Sequence, residues 1–222
     1  MRLLAIDTAL AACAAAVCDT NGGIIASESE LMARGHAEAL MPMIARVMAK
    51  SGISFDQLDR IAVTVGPGSF TGLRVGVSAA RGIALAARKP AVGVTTMTAL
   101  AAPFLAEDDT MPVLVAIDAR NDQGYMQAFS TGGHVLLPAQ LGPLRTVAML
   151  KLGPMRVIGS AAKRVAELLP ADQVVASFDR PAPDIAWVAQ IGSAGSADNP
   201  PKPLYIGTPS AKPPPASQLL RR

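Results

Sequence analysis

The chain has 222 residues, half of them hydrophobic and 17% charged, with a formal net charge of +3. This is the composition of a folded chain long enough for one large domain or two small lobes, and it excludes a disordered one. Aromatic residues make up only 4%, so the core is aliphatic and methionine-rich and there is no stacking platform for bases.

Arg2–Asp7 reads as a buried strand ending in a carboxylate, and 11–19 as a second strand rich in alanine. Asn21-Gly22-Gly23 is a hairpin signal, and 24–31 follows as a third strand, so the chain opens with an antiparallel meander. Leu10-Ala11-Ala12-Cys13 mimics a lipoprotein cleavage site, but Asp7 interrupts the apolar run before it. Export is therefore not expected, no apolar stretch is long enough to span a bilayer, and the expected location is the cytoplasm. Cys13 and Cys18, five residues apart on one strand, point to opposite faces and are expected as buried free thiols.

Residues 36–50 have helical spacing, with Ala37, Leu40, Met41, Ile44, Val47 and Met48 on one face, Pro42 inside and Ser51-Gly52 at the end. A strand over 60–65 leads into Gly66-Pro67-Gly68-Ser69-Phe70-Thr71-Gly72-Leu73-Arg74-Val75-Gly76, a glycine-rich turn that launches a helix of small and apolar residues over 72–88. Gly72, Gly76 and Ala80 recur every four residues, a face that suits tight internal packing or an interface with another chain; Gly82 is a further glycine that close packing would explain. A strand over 91–95 and a helix over 96–104 complete the first half.

Pro112–Asp118 then repeats the opening. Ala5-Ile6-Asp7 returns as Ala116-Ile117-Asp118, 111 positions later, and Gly22-Gly23 returns as Gly132-Gly133, 110 positions later. Two short matches with a shared offset of half the chain point to an internal duplication. The second copy is reduced: after a strand at 123–130 come helices near 143–151, 160–168 and 184–192 around a strand at 155–158, and no second glycine loop. The expected organisation is an α/β chain with a first lobe at 1–108, a reduced second lobe at 109–195 and a proline-rich basic tail at 196–222. The tail is expected to dock through Leu204 and Tyr205 and to fray beyond about 208.

The glycine loop fails the two common nucleotide tests. A Walker loop needs lysine where Leu73 stands. A Rossmann turn needs glycine where Thr71 stands and an acid at the end of 91–95. What remains is an anion site at a helix start, served by Ser69, Thr71 and Arg74, or a purely structural turn. Asp7 and Asp118 each end the first strand of a half, where a carboxylate holds a metal or water in duplicated phosphotransferases or simply bonds turn amides; Arg120 stands ready to neutralise Asp118. His36 and His134 are the only histidines, read as a capping or surface residue and a solvated loop residue. No metal spacing and no Gly-x-Ser-x-Gly elbow occurs.

Ile6-Asp7-Thr8, Gly35 to Pro42, Gly66 to Gly76, Asp118-Ala119-Arg120 and Pro203-Leu204-Tyr205, in that order, resemble the bacterial TsaB (YeaZ) family of the TsaD-like, glycoprotease-like superfamily. The resemblance covers nearly the whole chain and is closest over 66–76. It implies a duplicated RNase H-like, actin-like (ASKHA) fold and a non-catalytic subunit in the making of threonylcarbamoyladenosine on tRNA. It implies partners: a TsaD-like catalytic subunit, a TsaE-like ATPase, tRNA through the complex, and a second copy of the chain. The implied pairing surface is the first two helices, with His36, Leu40, Met41, Ile44, Met48, Gly72, Leu73, Gly76, Val77 and Ala80 as its residues. Asp7, Ser69, Thr71, Arg74 and Asp118 would be the remnant of an anion or nucleotide site. The His-x-x-x-His metal pair of the catalytic relative falls near Thr96 and Leu100, so no catalytic residue, metal or cofactor is expected on this chain, with ATP, ADP and metal on the partners. The competing expectations are a stand-alone ATP-dependent transferase or kinase, and a metallopeptidase.

Overall fold

The computed structural model describes residues 1–149, 152–197 and 200–207. β1 (Arg2–Asp7), β2 (Ala12–Asp19) and β3 (Gly23–Leu31) form the opening meander, followed by α1 (His36–Ser51), β4 (Arg60–Gly66), α2 (Phe70–Ala87), β5 (Ala91–Thr95) and α3 (Thr96–Glu107). The second half runs β6 (Val113–Asp118), β7 (Gln123–Phe129), β8 (Val135–Pro143), β9 (Met155–Ile158), α4 (Ala162–Leu168), β10 (Val174–Phe178) and α5 (Ile185–Ala194). The two sheets have orders β3-β2-β1-β4-β5 and β10-β9-β6-β7-β8. In each, the first strand is antiparallel to its hairpin partner and parallel to the fourth strand of its half. Each strand therefore has a counterpart in the other half, and the duplication extends through both sheets.

The first sheet is covered on both faces, which is why β1, β2 and β4 are apolar almost without alternation. On one face Leu4, Ile6, Cys13 and Val63 pack with Leu40, Ile44 and Val47 of α1 and Val77 and Ala80 of α2. On the other, Leu3, Ala5, Ala14 and Cys18 meet Ile185, Val188 and Ala189 of α5. Cys13 and Cys18 thus lie on opposite faces as free, buried thiols. Gly192 lets α5 lie on β4, because a Cβ there would strike Ala62. The Arg60 guanidinium closes the end of α5, donating to the carbonyls of Gly192, Ser193 and Gly195 at 3.0, 2.9 and 2.8 Å.

The second sheet is covered by α4 on one face and by α3 on the other, where Met97, Leu100, Ala101 and Phe104 pack on Val113, Val115 and Ile117. The two halves have exchanged their last helices. The strands before and after 108/109 form separate sheets, while α3 packs on the second sheet and α5 on the first. The expected helix over 143–151 is also corrected. β8 runs on to Pro143, and Leu144–Met149 forms a 3-10 turn that buries Leu144 and Val147; residues 150–151 lie outside the described residues. α1, with sixteen residues in the first half, is reduced to that turn in the second. Among the described residues no helix is long and apolar enough to cross a membrane. The tail expected to fray beyond about 208 lies outside the described residues.

Candidate functional site

The glycine loop ends β4 and starts α2. Gly66 takes φ 113°, and its bond to Pro67 is cis. Ser69 caps α2, its hydroxyl accepting from the Gly72 amide at 3.3 Å, while its own amide donates to the Ala9 carbonyl at 2.7 Å. Gly72 and Gly76 let the helix lie against Thr8, whose hydroxyl donates to the Gly72 carbonyl at 2.7 Å; a Cβ on either glycine would strike Thr8. The intervals of four in α2 are thus explained by packing inside the first lobe. The second half keeps a remnant of the same turn, missed in the sequence because only one glycine marks it: Gly159 ends β9 with φ 117° and approaches the Ala116 carbonyl, to which Ala161 donates at 3.1 Å.

Between the lobes lies a cleft of about 590 Å³, walled by Ser69, Phe70 and Thr71 on one side and Asp118, Arg120 and Ser160 on the other. Three of the five remnant-site residues, Ser69, Thr71 and Asp118, therefore come together here. Asp118 is exposed and pairs with Arg164 at 3.1 Å, not with Arg120 as the sequence suggested; Arg120 opens a run of three positive-φ residues in the β6–β7 turn. Arg74 turns away, its guanidinium stacked 3.8 Å from the Phe70 ring centre and its Nε donating to the Tyr205 hydroxyl at 3.2 Å.

Asp7 does not line this cleft. It is fully buried, its Oδ1 accepting from Thr64 at 2.5 Å and from the Ala9 amide at 3.0 Å, while Oδ2 has no partner among the described residues. Burial pushes its carboxyl above the ordinary range, against the lowering effects of the Thr64 and Ala9 hydrogen bonds and of the charge of His36. His36 is itself buried, with Nε2 at 3.1 Å from the Leu10 carbonyl, and is not the surface residue expected; His134 is exposed as expected. Thr96 and Leu100 are buried at the start of α3 and offer no imidazole, and among the described residues no group of three or more His, Cys, Asp or Glu could hold a metal.

Of the residues expected at the interface, His36, Leu40, Ile44, Met48, Gly72, Leu73, Gly76, Val77 and Ala80 are buried in the first lobe, and Met41 alone is exposed, at 50%. The outer face of the same two helices has a different make-up. Ala37, Met41, Ala45 and Ala49 form an exposed ridge on α1, and Ser78, Gly82 and Ala86 one on α2, beside Leu85 at 83% exposure. Both ridges step by four, the spacing along which helices interlock closely. Among the described residues nothing comes within 4 Å of where a Gly82 Cβ would stand.

Comparison with known proteins joins this fold to a family. The model described as "TsaD: tRNA N6-adenosine threonylcarbamoyltransferase" matches residues 14–178. YeaZ from Pseudomonas aeruginosa superposes with a TM-score of 0.78 at 27% identity, over 92% of this chain and 99% of that one. The chain belongs to the TsaD-like family, on its TsaB/YeaZ branch. The Escherichia coli (strain K12) protein named "tRNA threonylcarbamoyladenosine biosynthesis protein TsaB" is 40% identical over 125 residues, 56% of this chain and 53% of that protein. An uncharacterized Mycobacterium tuberculosis protein (strain H37Rv) is 30% identical over 215 residues, 95% of this chain and 94% of its own length. The chain thus spans about half the length of the curated TsaB relatives it matches. The TsaB/YeaZ likeness accounts for the two-lobed, duplicated actin-like architecture and for the glycine loop on which the sequence resemblance was strongest.

Proposed function

We propose that this chain is a non-catalytic scaffold subunit of the system that makes threonylcarbamoyladenosine on tRNA. In this reading it docks a TsaD-like catalytic subunit through the outer face of α1 and α2, helps recruit a TsaE-like ATPase, and meets tRNA through the complex, in the cytoplasm. Nucleotide and metal chemistry is assigned to the partner subunits. The observation that carries the reading is Gly82. A glycine inside a helix costs about 1 kcal/mol relative to alanine, and no neighbour among the described residues explains it. Its use is to let something outside the chain approach the Ser78-Gly82-Ala86 ridge, with Met41 and Leu85 as exposed apolar anchors on either side. The same face would pair two copies when the catalytic subunit is absent.

The test is co-elution of the full chain with its TsaD-like subunit on size-exclusion chromatography, for the wild type and for Gly82→Leu. The wild type is expected to co-elute. Gly82→Leu, which has open space around it, is expected to fold with a thermal midpoint no lower than wild type's and to lose the complex. Co-elution of Gly82→Leu would show that this face is not the interface, and failure of the wild type to co-elute would remove the scaffold reading.

A further inference from the structure

Residues 200–207 lie against β4 and β5. Pro201 comes to 3.5 Å from where a Gly93 Cβ would stand. The Leu204 amide donates to the Val65 carbonyl at 2.6 Å, and Gly66 leaves room for this, since a Cβ there would be 2.9 Å from the Leu204 carbonyl oxygen. The Tyr205 ring lies 5.5 Å from the Phe70 ring, tilted by 33°, and its hydroxyl accepts from Arg74. At Gly207, with φ 98°, a Cβ would come to 2.9 Å from the Leu141 side chain of β8. One short segment therefore touches both lobes and the first turn of α2. Pro201 is buried, but among the described residues Pro203–Gly207 makes only one main-chain hydrogen bond, one ring pair and one side-chain hydrogen bond, while Tyr205 stays 51% exposed. Few buried contacts and an exposed backbone mark the low end of local stability. Neither sheet loses a strand if the segment lets go.

We propose that Pro203–Gly207 is a reversible latch. Docked, it fills the notch at Gly66 and Gly93, holds Arg74 against Phe70 and steadies the start of α2, whose first residues wall the interlobe cleft. Released, it bares the Val65 carbonyl and the notch and frees the Arg74 guanidinium beside that cleft. The notch is shaped for an extended leucine–tyrosine segment, and its occupant is the chain's own tail.

Residue-resolved amide hydrogen exchange on the full chain tests this without any partner, so its outcome is separate from that of the scaffold reading. In the wild type the Leu204 amide should be protected, but about tenfold or more less than Leu4 and Ile6 in β1. In Tyr205→Ala its protection should fall about tenfold further, and the Gly72 and Leu73 amides should exchange faster while β1 is unchanged. Tyr205→Phe, which keeps the ring and loses the hydroxyl, should fall between. Excess peptide Pro-Lys-Pro-Leu-Tyr-Ile-Gly should restore protection at Gly72 and Leu73 in Tyr205→Ala, and the same peptide with alanine for tyrosine should not. Leu204 protection equal to that of β1, a Tyr205→Ala chain that fails to fold, unchanged exchange at Gly72 and Leu73, or failure of the peptide to rescue would each overturn the latch.

Discussion

Two glycines six residues apart on α2 should respond to alanine in opposite directions. At Gly82 the new methyl meets nothing within 4 Å among the described residues, so Gly82→Ala gains helix propensity alone, about 1 kcal/mol. For a chain of this size that is a rise of about 2–4 °C in thermal midpoint. At Gly76 the same propensity gain is overridden. The methyl lands on the Thr8 hydroxyl and comes to 3.5 Å from a Val63 methyl, both in the packed interior. Overpacking costs about 1–3 kcal/mol. Displacing Thr8 also loses its 2.7 Å bond to the Gly72 carbonyl, worth about 1 kcal/mol. The net expectation is a loss of about 1–3 kcal/mol, a midpoint several degrees lower. Urea and thermal unfolding followed by circular dichroism measure both. A destabilised Gly82→Ala would mean that the outer face of α2 is already covered, and a neutral Gly76→Ala would mean that the α2–Thr8 contact is not close-packed. Either result refutes the assignment of an inner and an outer face.

Asp7→Asn should change how stability varies with pH. Because burial holds the Asp7 carboxyl above its unfolded value, its proton contributes stability that is complete below the ordinary carboxylate value of about 3.9 and is lost as pH rises through the folded value. The amide has no charge to bury, so Asp7→Asn should be the more stable chain at about pH 8, by roughly 1–3 kcal/mol, and equal to wild type at about pH 4. Urea midpoints at the two pH values decide it, and a wild-type advantage at the higher pH would contradict the cause assigned. Cys13 and Cys18 should resist thiol reagents at neutral pH, because burial pushes both thiols up to about 11, with the charge of Asp7 adding to the effect at Cys13. Against a free thiol near 8.5 this lowers the thiolate fraction by roughly two orders of magnitude. Both should label at the ordinary rate in denaturant, and rapid labelling of the native chain would show that the first lobe opens.

Local signals carried most of the fold. The Asn21-Gly22-Gly23 turn, the Gly52 stop and the unbroken apolar runs of β1 and β4 each depend on residues close in sequence, and the strands and long helices of the first half lie where those signals put them, whereas β8 and β10 in the second half were not expected. The turn at Leu144–Met149 was misjudged because Leu144 and Val147 sit three apart, a spacing that an α-helix and a 3-10 turn share. The exchange of α3 and α5 was invisible, since an apolar stripe says that a helix is buried and not which sheet buries it. The same reasoning explains the interface. The periodic apolar positions from Leu40 to Met48 are the conspicuous ones, and conspicuous apolar positions mark the interior. The outer ridges are built of alanine, serine and glycine, which hydrophobic periodicity passes over. His36 gave no sign of burial because the carbonyl it meets, that of Leu10, lies 26 positions earlier.

The crossing of α3 and α5 also sets an order of events during synthesis. Leu3, Ala5 and Ala14 have their partners in Ile185, Val188 and Ala189, so one side of the first sheet stays wet until α5 has left the ribosome. Contacts that distant in sequence form late and slowly. The first sheet must therefore wait, with an apolar surface open, for α5, and Arg60 must wait for the helix end that it closes.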